Sequence, residues 1–163
     1  MPEGPVVVNN TPLVALWSLG RLDLLPALLG EIWIPPAVHE EFLAADPVLR
    51  RADLEDATWI HVTPLANPRR ALSYVGLDRG EAEVLALAEE REARLVVIDE
   101  RRARQVARRM GFALTGTLGL LLLAKEESLL ESLAEAISSL EAAGLHLSRP
   151  LVTRVLELAG EKI

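Results

Sequence analysis

Residues 95–100 read LVVIDE, and residues 101–110, which follow at once, read RRARQVARRM. Four consecutive apolar residues, three of them β-branched, predict a strand that is buried on both faces. The next ten residues place small and apolar side chains at helical spacing, which predicts a helix with one apolar stripe. Asp99 lies where the strand gives way to the helix, the position at which open α/β sheets hold their ligands. The arginines behind this carboxylate suggest a site for a metal ion and a phosphate.

The rest of the chain repeats this alternation of short apolar strands and helices. Apolar runs predict strands at residues 6–8, 32–34, 59–62, 95–98 and 112–114. Strands separated by helical segments and short turns indicate a parallel sheet covered on both faces. We therefore predict an α/β fold, a three-layer α/β/α sandwich with a central parallel sheet. Residues 1–163 are expected to form a single domain, with C-terminal helices at about 129–159.

The composition restricts the class of protein and its compartment. The chain has 163 residues, of which 50% are hydrophobic, and it contains no cysteine. Disulfides, thiolate metal sites and a cysteine nucleophile are therefore excluded. The N-terminal residues do not resemble a signal peptide, and no apolar run approaches the roughly 20 residues that span a bilayer. These features predict a cytoplasmic protein with no membrane partner.

The charge distribution bears on nucleic-acid binding. A net charge of −7 argues against a protein that coats nucleic acid through its bulk charge. Residues 91–109, however, contain seven arginines against three acidic residues. Such a basic patch is able to hold a phosphate backbone locally. A solvated helix face explains the same pattern equally well.

Two acidic residues have an ordinary explanation as helix caps. Asp99 is a suitable N-cap for the helix that follows it, and residues 78–81 fit a capping box with Asp78 as the cap and Glu81 as its partner. Capping does not explain why Asn9, Asp99 and the turn into Glu81 all follow strands of a parallel sheet, which places them at one edge. Carboxylate and amide oxygens are the ligands that Mg²⁺ and Mn²⁺ prefer. The sequence therefore predicts a divalent-metal site at this edge.

Five segments, in this order, resemble the PIN-domain nucleases with VapC-like members, and more narrowly an uncharacterised PIN-like group. They are VNNTPLV (8–14), IPPAVHEE (34–41), LDRGEA (77–82), VIDERRA (97–103) and TGTLG (115–119). The resemblance implies a parallel sheet between helices, in agreement with the fold predicted from the alternation of elements. It also implies a ribonuclease that depends on Mg²⁺ or Mn²⁺, with RNA as its substrate. Many such proteins are the toxin of a toxin–antitoxin pair, so an antitoxin protein is an expected partner, and we also expect a homodimer.

The resemblance assigns the acidic pocket to Asn9, Glu41, Glu81 and Asp99. All four are predicted metal ligands, and the three carboxylates are the predicted catalytic residues. Glu41 is chosen over Glu40 on the resemblance alone, because helical spacing would leave both on a solvated face. Asn9 stands where active members usually have aspartate, so the pocket would hold three formal negative charges rather than four.

Four residues are predicted to contact the substrate. Thr11 is the small hydroxyl residue that the resemblance places near the pocket. Arg101, Arg102 and Arg104 are predicted to hold the flanking RNA backbone, with solubility of an exposed helix as the alternative for each.

The sequence thus leaves three hypotheses for function. The first is a PIN-type ribonuclease that hydrolyses RNA phosphodiester bonds, with a toxin of a toxin–antitoxin pair as the narrower expectation. The second is a catalytically impaired PIN-like scaffold that acts as an RNA- or protein-binding module, since the amide of Asn9 brings no charge to a metal. The third is a receiver-like signalling domain, which also carries acidic residues at strand ends.

Overall fold

In the computed structural model, which describes residues 3–162, the strands form a five-stranded sheet. The strands are β1 (Val6–Val8), β2 (Ile32–Ile34), β3 (Ile60–Val62), β4 (Leu95–Val97) and β5 (Leu114–Thr115). They lie in the order β3-β2-β1-β4-β5, and every pair of neighbours runs parallel. This order differs from the 2-1-3-4-5 order of receiver domains, so the receiver hypothesis is excluded.

Helices connect the strands and flank the sheet. They are α1 (Asn10–Ser18), α2 (Leu24–Leu29), α3 (Pro36–Ala45), α4 (Pro47–Asp56), a 3-10 helix (Pro68–Ser73), α5 (Arg79–Arg91), α6 (Arg101–Arg109), α7 (Thr117–Glu126), α8 (Leu133–Ala142) and α9 (Arg149–Leu158). Helix α5 packs against β1 and β4, whereas α7 packs against α1, α2, α8 and α9. The predicted α/β/α sandwich with a parallel central sheet is confirmed.

The core is aliphatic and is centred on β1. The three valines of this strand are at most 1% exposed, and Ile32 and Ile34 of β2 and Val96 and Val97 of β4 are buried with them. A strand paired on both sides and covered by helices has no polar face, which explains why it reads as a continuous apolar run.

The direction of the chain across the sheet changes between β1 and β4. The chain runs outward from β1 through β2 to β3 and then returns through α5 to β4, on the other side of β1. Such a switch point opens a crevice at the carboxyl ends of the two central strands. Asn9 follows β1 at this edge, and its backbone N–H donates to the Val97 carbonyl at 2.9 Å. The topology therefore directs Asn9 and the end of β4 into one crevice.

The C-terminal helices form a small unit on α7. Helix α8 begins after the N-cap Ser132 rather than at residue 129, because the Ser132 hydroxyl accepts from the Glu135 N–H at 3.1 Å. The carboxylate of Glu161 accepts from the first N–H groups of α8, those of Leu133 at 2.7 Å and Ala134 at 3.0 Å. This contact joins the end of the described chain to the start of α8.

Two expectations concern the extent of the chain. The single domain predicted for residues 1–163 includes Met1, Pro2 and Ile163, which lie outside the described residues, and it stays a prediction. None of the helices within residues 3–162 has the length and apolarity that a membrane crossing requires.

Candidate active site

Glu41 and Glu40 are neighbours on α3, yet they have different surroundings. The Oε2 atom of Glu41 accepts from the Nδ2 of Asn10 at 3.3 Å. Its Oε1 lies so close to Gly80 that a Cβ at that glycine would come within 2.5 Å of it. The carboxylate of Glu40 instead pairs with the exposed Arg79 guanidinium at 2.7 Å. Both carboxylates thus contact the start of α5, that of Glu40 through an exposed ion pair with Arg79 and that of Glu41 beside Gly80.

Glu81 lies in the first turn of α5, in the capping box that the sequence predicted. The Asp78 carboxylate accepts from the Glu81 N–H at 2.8 Å, and the Glu81 Oε1 accepts from the Asp78 N–H at 3.0 Å. Glu81 is 8% exposed. The box holds a buried carboxylate at a helix N-terminus, next to the glycine that Glu41 contacts.

The carboxyl groups in this region destabilise one another's charged forms. The pKa of Glu41 is raised, first by burial of its carboxyl end and then by the charge of Asp78, against the opposing effects of Asn10 and Arg79. Burial also raises the pKa of Glu81, against the opposing effect of the hydrogen bond from the Asp78 N–H, and the charges of Asp78, Glu100 and Glu41 add to the rise. We refer to Glu41, Asp78 and Glu81 as the glutamate cluster. Its shared repulsion is what a bound cation would relieve.

Asp99 follows β4 at the switch point, but it is not the N-cap of α6. The prediction of that cap was wrong, because the Glu100 carboxylate takes the position and accepts from the Arg102 N–H at 3.0 Å. Asp99 instead reaches across to α7, where its Oδ1 accepts from the Thr117 N–H at 2.8 Å and its Oδ2 accepts from the Thr117 hydroxyl at 2.6 Å. It thereby stabilises the N-terminus of a helix that is distant in the sequence.

A glycine also allows the close approach of Asp99. A Cβ at Gly116, the N-cap of α7, would come within 2.5 Å of the Asp99 Oδ1. The Arg104 guanidinium lies at the same place, 3.2 Å from that Cβ position. We refer to Asp99, Thr117, Gly116 and Arg104 as the aspartate cluster.

The predicted substrate-binding residues have unequal surroundings. Arg104 is half-buried, and its Nη1 donates to the Ile98 carbonyl at 2.8 Å. Burial lowers the pKa of Arg104, with the charges of Arg108 and Asp99 acting in opposite directions. Arg102 donates to the Gly76 carbonyl at 3.0 Å, whereas Arg101 is exposed and makes no side-chain hydrogen bond to any described residue. Of the three arginines, Arg101 is the most accessible to a ligand.

Asn9 and Thr11 flank the first residue of α1. Asn9 is 6% exposed and precedes the helix, but its side chain does not cap it. Thr11 is exposed and lines a cavity that also contacts Asp99. Asn10, which the sequence did not single out, donates to Glu41 while its buried Oδ1 has no hydrogen-bond partner among the described residues. In the sequence, only the position of Asn10 next to Asn9 indicated it as a candidate site residue.

The donors of the crevice fit a hard divalent cation, but not as a preformed cage. Within residues 3–162, no three His, Asp or Glu side chains are grouped closely enough to hold one metal ion. Mg²⁺ commonly uses only one or two carboxylates and completes its shell with water and substrate phosphate. Glu41, Glu81 and the unpartnered Oδ1 of Asn10 have the chemistry for such a site.

The fold and the crevice together define an α/β/α sandwich with acidic side chains at the switch point of a parallel sheet. The model of one family, DUF3368, described as a PIN domain, matches residues 5–161. The chain therefore belongs to the PIN domain family, and the predicted resemblance is confirmed. No curated protein matches the chain significantly. PIN-domain nucleases act on RNA and generally depend on divalent metal ions, so membership is consistent with a nuclease.

Proposed function

We propose that this chain is a metal-dependent ribonuclease of the PIN type that hydrolyses RNA phosphodiester bonds. The observation that supports this most directly is the glutamate cluster. The charged forms of Glu41 and Glu81 are both disfavoured, first by desolvation and also by neighbouring carboxylates, and Glu41 accepts a hydrogen bond from Asn10, whose buried amide oxygen has no partner among the described residues. Repelling carboxylates of this kind are stabilised when a divalent cation binds between them.

The proposed ligands for Mg²⁺ or Mn²⁺ are Glu41, Glu81 and Asp99, with Asn9 as a neutral ligand. Because no three carboxylates within residues 3–162 are grouped around one point, these ligands would be divided between two ions. When bound, such an ion lowers the pKa of a water molecule and stabilises charge on the phosphate. The protein's part is to hold the donors in place. Thr117 fixes both oxygens of Asp99, as hydrogen bonds to metal-binding carboxylates commonly do.

The RNA backbone would lie along the N-terminus of α6. Arg101 is exposed there and supplies a guanidinium for a flanking phosphate. Arg102 and Arg104 already donate to backbone carbonyls, so their proposed contribution is mainly positive potential. Thr11 is proposed to contact the substrate at the start of α1.

The test is cleavage of structured and unstructured RNA by the purified chain in Mn²⁺ or Mg²⁺. Glu41→Gln is expected to lower cleavage by more than about 100-fold, beyond the cost typical of outer-shell partners. Glu40→Gln is the matched control, because it changes the neighbouring residue of the same helix, and it should cleave like the wild type. Asp99→Ala should abolish cleavage. Equal activity of the two glutamine variants would refute the proposed site.

A catalytically impaired binding module is the second candidate function. It is favoured by the amide at Asn9 and by the absence, within residues 3–162, of a ready three-carboxylate group. Asn9→Asp restores the fourth charge. Cleavage by this variant alone would assign the natural chain to the second function, whereas cleavage by the wild type assigns it to the first.

The narrower part of the proposal is a cytoplasmic toxin with an antitoxin protein as partner and a homodimer as its assembly. It is supported by the family resemblance rather than by a contact in this chain. Induced expression should arrest growth, and co-expression of a small protein encoded next to the gene should relieve the arrest. Sedimentation of the purified chain tests the dimer independently of activity.

A further inference from the structure

A cavity of about 300 Å³ lies beside Asp99. Thr11 and Asp99 line its polar part, and Leu118, Leu147 and Leu151 contribute apolar surface. The cavity therefore shares two residues with the proposed active site but has walls of its own. None of the proposed metal ligands other than Asp99 lines it.

The apolar wall is incompletely covered by the protein. Leu118 is buried at the start of α7, but Leu151 on α9 is 49% exposed, and Leu147 in the segment before α9 is half-buried. His146, in the same segment, adds an exposed imidazole to the lining. Apolar surface next to a few polar groups, within a concave site, is the usual composition of a small-ligand pocket.

The charge of the lining selects against an anion. Among the described residues no lysine or arginine lines the cavity, and the carboxylate of Asp99 contributes a negative charge. The lining therefore offers a phosphate no cationic partner of its own, whereas the uncharged part of a nucleotide needs none. A nucleobase has apolar faces and a polar edge, which match the leucine side chains and the Thr11 and His146 groups respectively.

We propose that this cavity binds the nucleobase of the nucleotide adjoining the cleaved phosphodiester bond. The inference rests on the ribonuclease function proposed above, because the shared Asp99 carboxylate joins the cavity to the proposed site of hydrolysis. The cavity lies at the lower end of the size range of small-ligand pockets, which suits one base rather than an oligonucleotide segment. It would make the enzyme selective for the base at one position.

Binding is tested first, without hydrolysis. The four uncharged ribonucleosides are titrated into the purified protein, whose leucine methyl groups are labelled, and the methyl chemical shifts are recorded by NMR. At least one nucleoside should give saturable shifts at Leu147 and Leu151, and Leu151→Ala should weaken its binding about tenfold. Leu158→Ala is the matched control, because Leu158 lies on the same helix, is 53% exposed and does not line the cavity. It should change the affinity by less than about twofold.

Cleavage of an RNA with a single abasic ribose at the adjoining position is the second test. The wild type should show a kcat/KM about tenfold lower on the abasic RNA than on the intact RNA. In Leu151→Ala the two kcat/KM values should differ by less than about tenfold. Nucleoside binding in a protein that cleaves no RNA would overturn the ribonuclease and leave the base site standing. Equal cleavage of both RNAs, with no nucleoside shifts, would overturn the base site and leave the ribonuclease standing.

Discussion

The glutamate cluster and the aspartate cluster lie at the same edge of the sheet, but their carboxylates are satisfied to different degrees. Asp99 has a hydrogen bond on each oxygen, both from Thr117. Glu41 has one long contact at 3.3 Å from Asn10, and its charged form is disfavoured by burial and by neighbouring carboxylates. Asp99 is thus hydrogen-bonded on both oxygens without a ligand, whereas Glu41 is not.

This difference predicts which carboxylates of the crevice stabilise the free protein and which would gain from a bound cation. A carboxylate that accepts two hydrogen bonds at a helix N-terminus contributes to stability whether or not a metal binds. Carboxylates that repel one another lower the stability of the free protein and gain from a cation. The sequence resemblance predicts Glu41, Glu81 and Asp99 in one pocket, but the hydrogen bonds from Thr117 give both oxygens of Asp99 a structural role that Glu41 lacks.

The largest expected effect tests how much the hydrogen bond from the Thr117 hydroxyl to Asp99 stabilises the protein. Thr117→Val removes the hydroxyl that donates to the Asp99 Oδ2 and keeps the shape of the side chain. Because the lost hydrogen bond is made to a charged group, the free energy of unfolding should fall by about 1.5–3 kcal/mol. Urea denaturation at neutral pH measures this change in the free energy of unfolding. RNA cleavage should also fall, by about 10- to 100-fold, if Thr117 orients Asp99 as a ligand.

Thr63→Val is the matched control for this substitution. Thr63 is also buried, but its hydroxyl donates to the neutral carbonyl of His61 at 3.2 Å, so the loss should be only about 0.5–1.5 kcal/mol. Equal losses in the two variants would contradict the special strength of the Asp99 contact. Lower stability of Thr117→Val with unchanged cleavage would show that Asp99 is a helix cap alone.

The next effect compares two glycines that make the same close approach. A Cβ would come within 2.5 Å of the Glu41 Oε1 at Gly80 and of the Asp99 Oδ1 at Gly116. Glu41 is a flexible side chain with few contacts, so Gly80→Ala should leave the free energy of unfolding nearly unchanged. The displaced carboxylate should lower RNA cleavage at least about tenfold, a loss similar to that of substituting an outer-shell partner of a metal ligand. In Gly116→Ala the new methyl group clashes with the Asp99 carboxylate, which Thr117 holds in place, so the free energy of unfolding should fall by about 1–3 kcal/mol.

Urea denaturation and RNA cleavage of both alanine variants measure this contrast. The comparison between the clusters would fail if Gly80→Ala destabilised the protein as much as Gly116→Ala does. A Gly80→Ala variant that folds normally but binds Mn²⁺ more weakly than the wild type would support the difference between the two clusters.

The fold was predictable because its signal is local and repeated. Short apolar runs such as 6–8 and 95–97 alternate with helices, and that alternation alone implies a parallel sheet between helical layers. The capping box of Asp78 and Glu81 was also predictable, since it depends on residues three apart.

The site was less predictable because its contacts join distant segments. The partner of Asp99 is 18 residues away, and no spacing rule connects a strand end to the first N–H of another helix. The acceptor that caps α6 is Glu100, one residue later than predicted, which leaves Asp99 free to turn toward α7. Periodicity did not distinguish Glu40 from Glu41, because the tertiary neighbours Arg79 and Asn10 decide where each carboxylate points.

The smallest effect is the pH dependence of the free protein. The pKa of Glu41 is raised in the folded state, so over the range between its ordinary and its raised value the folded protein binds more protons than the unfolded chain. Stability therefore falls as the pH rises through this range, and the penalty is fully present above it. Glu41→Gln removes the penalty and keeps an acceptor for the Asn10 amide. At pH 7, in EDTA, this variant should be more stable than the wild type, by less than about 1 kcal/mol because solvent screens part of the charge.

Urea denaturation between pH 4.5 and pH 7.5 is the measurement, with the lower limit set by the ordinary pKa of the carboxyl. The advantage of Glu41→Gln should shrink as the pH falls toward that limit, and saturating Mn²⁺ should abolish it at pH 7 by stabilising only the wild type. Glu40→Gln loses the ion pair with Arg79 and should gain no stability at any of these pH values. A Glu41→Gln variant that is less stable than the wild type at pH 7 would mean that the glutamate cluster is satisfied without a cation, and the contrast with Asp99 would disappear.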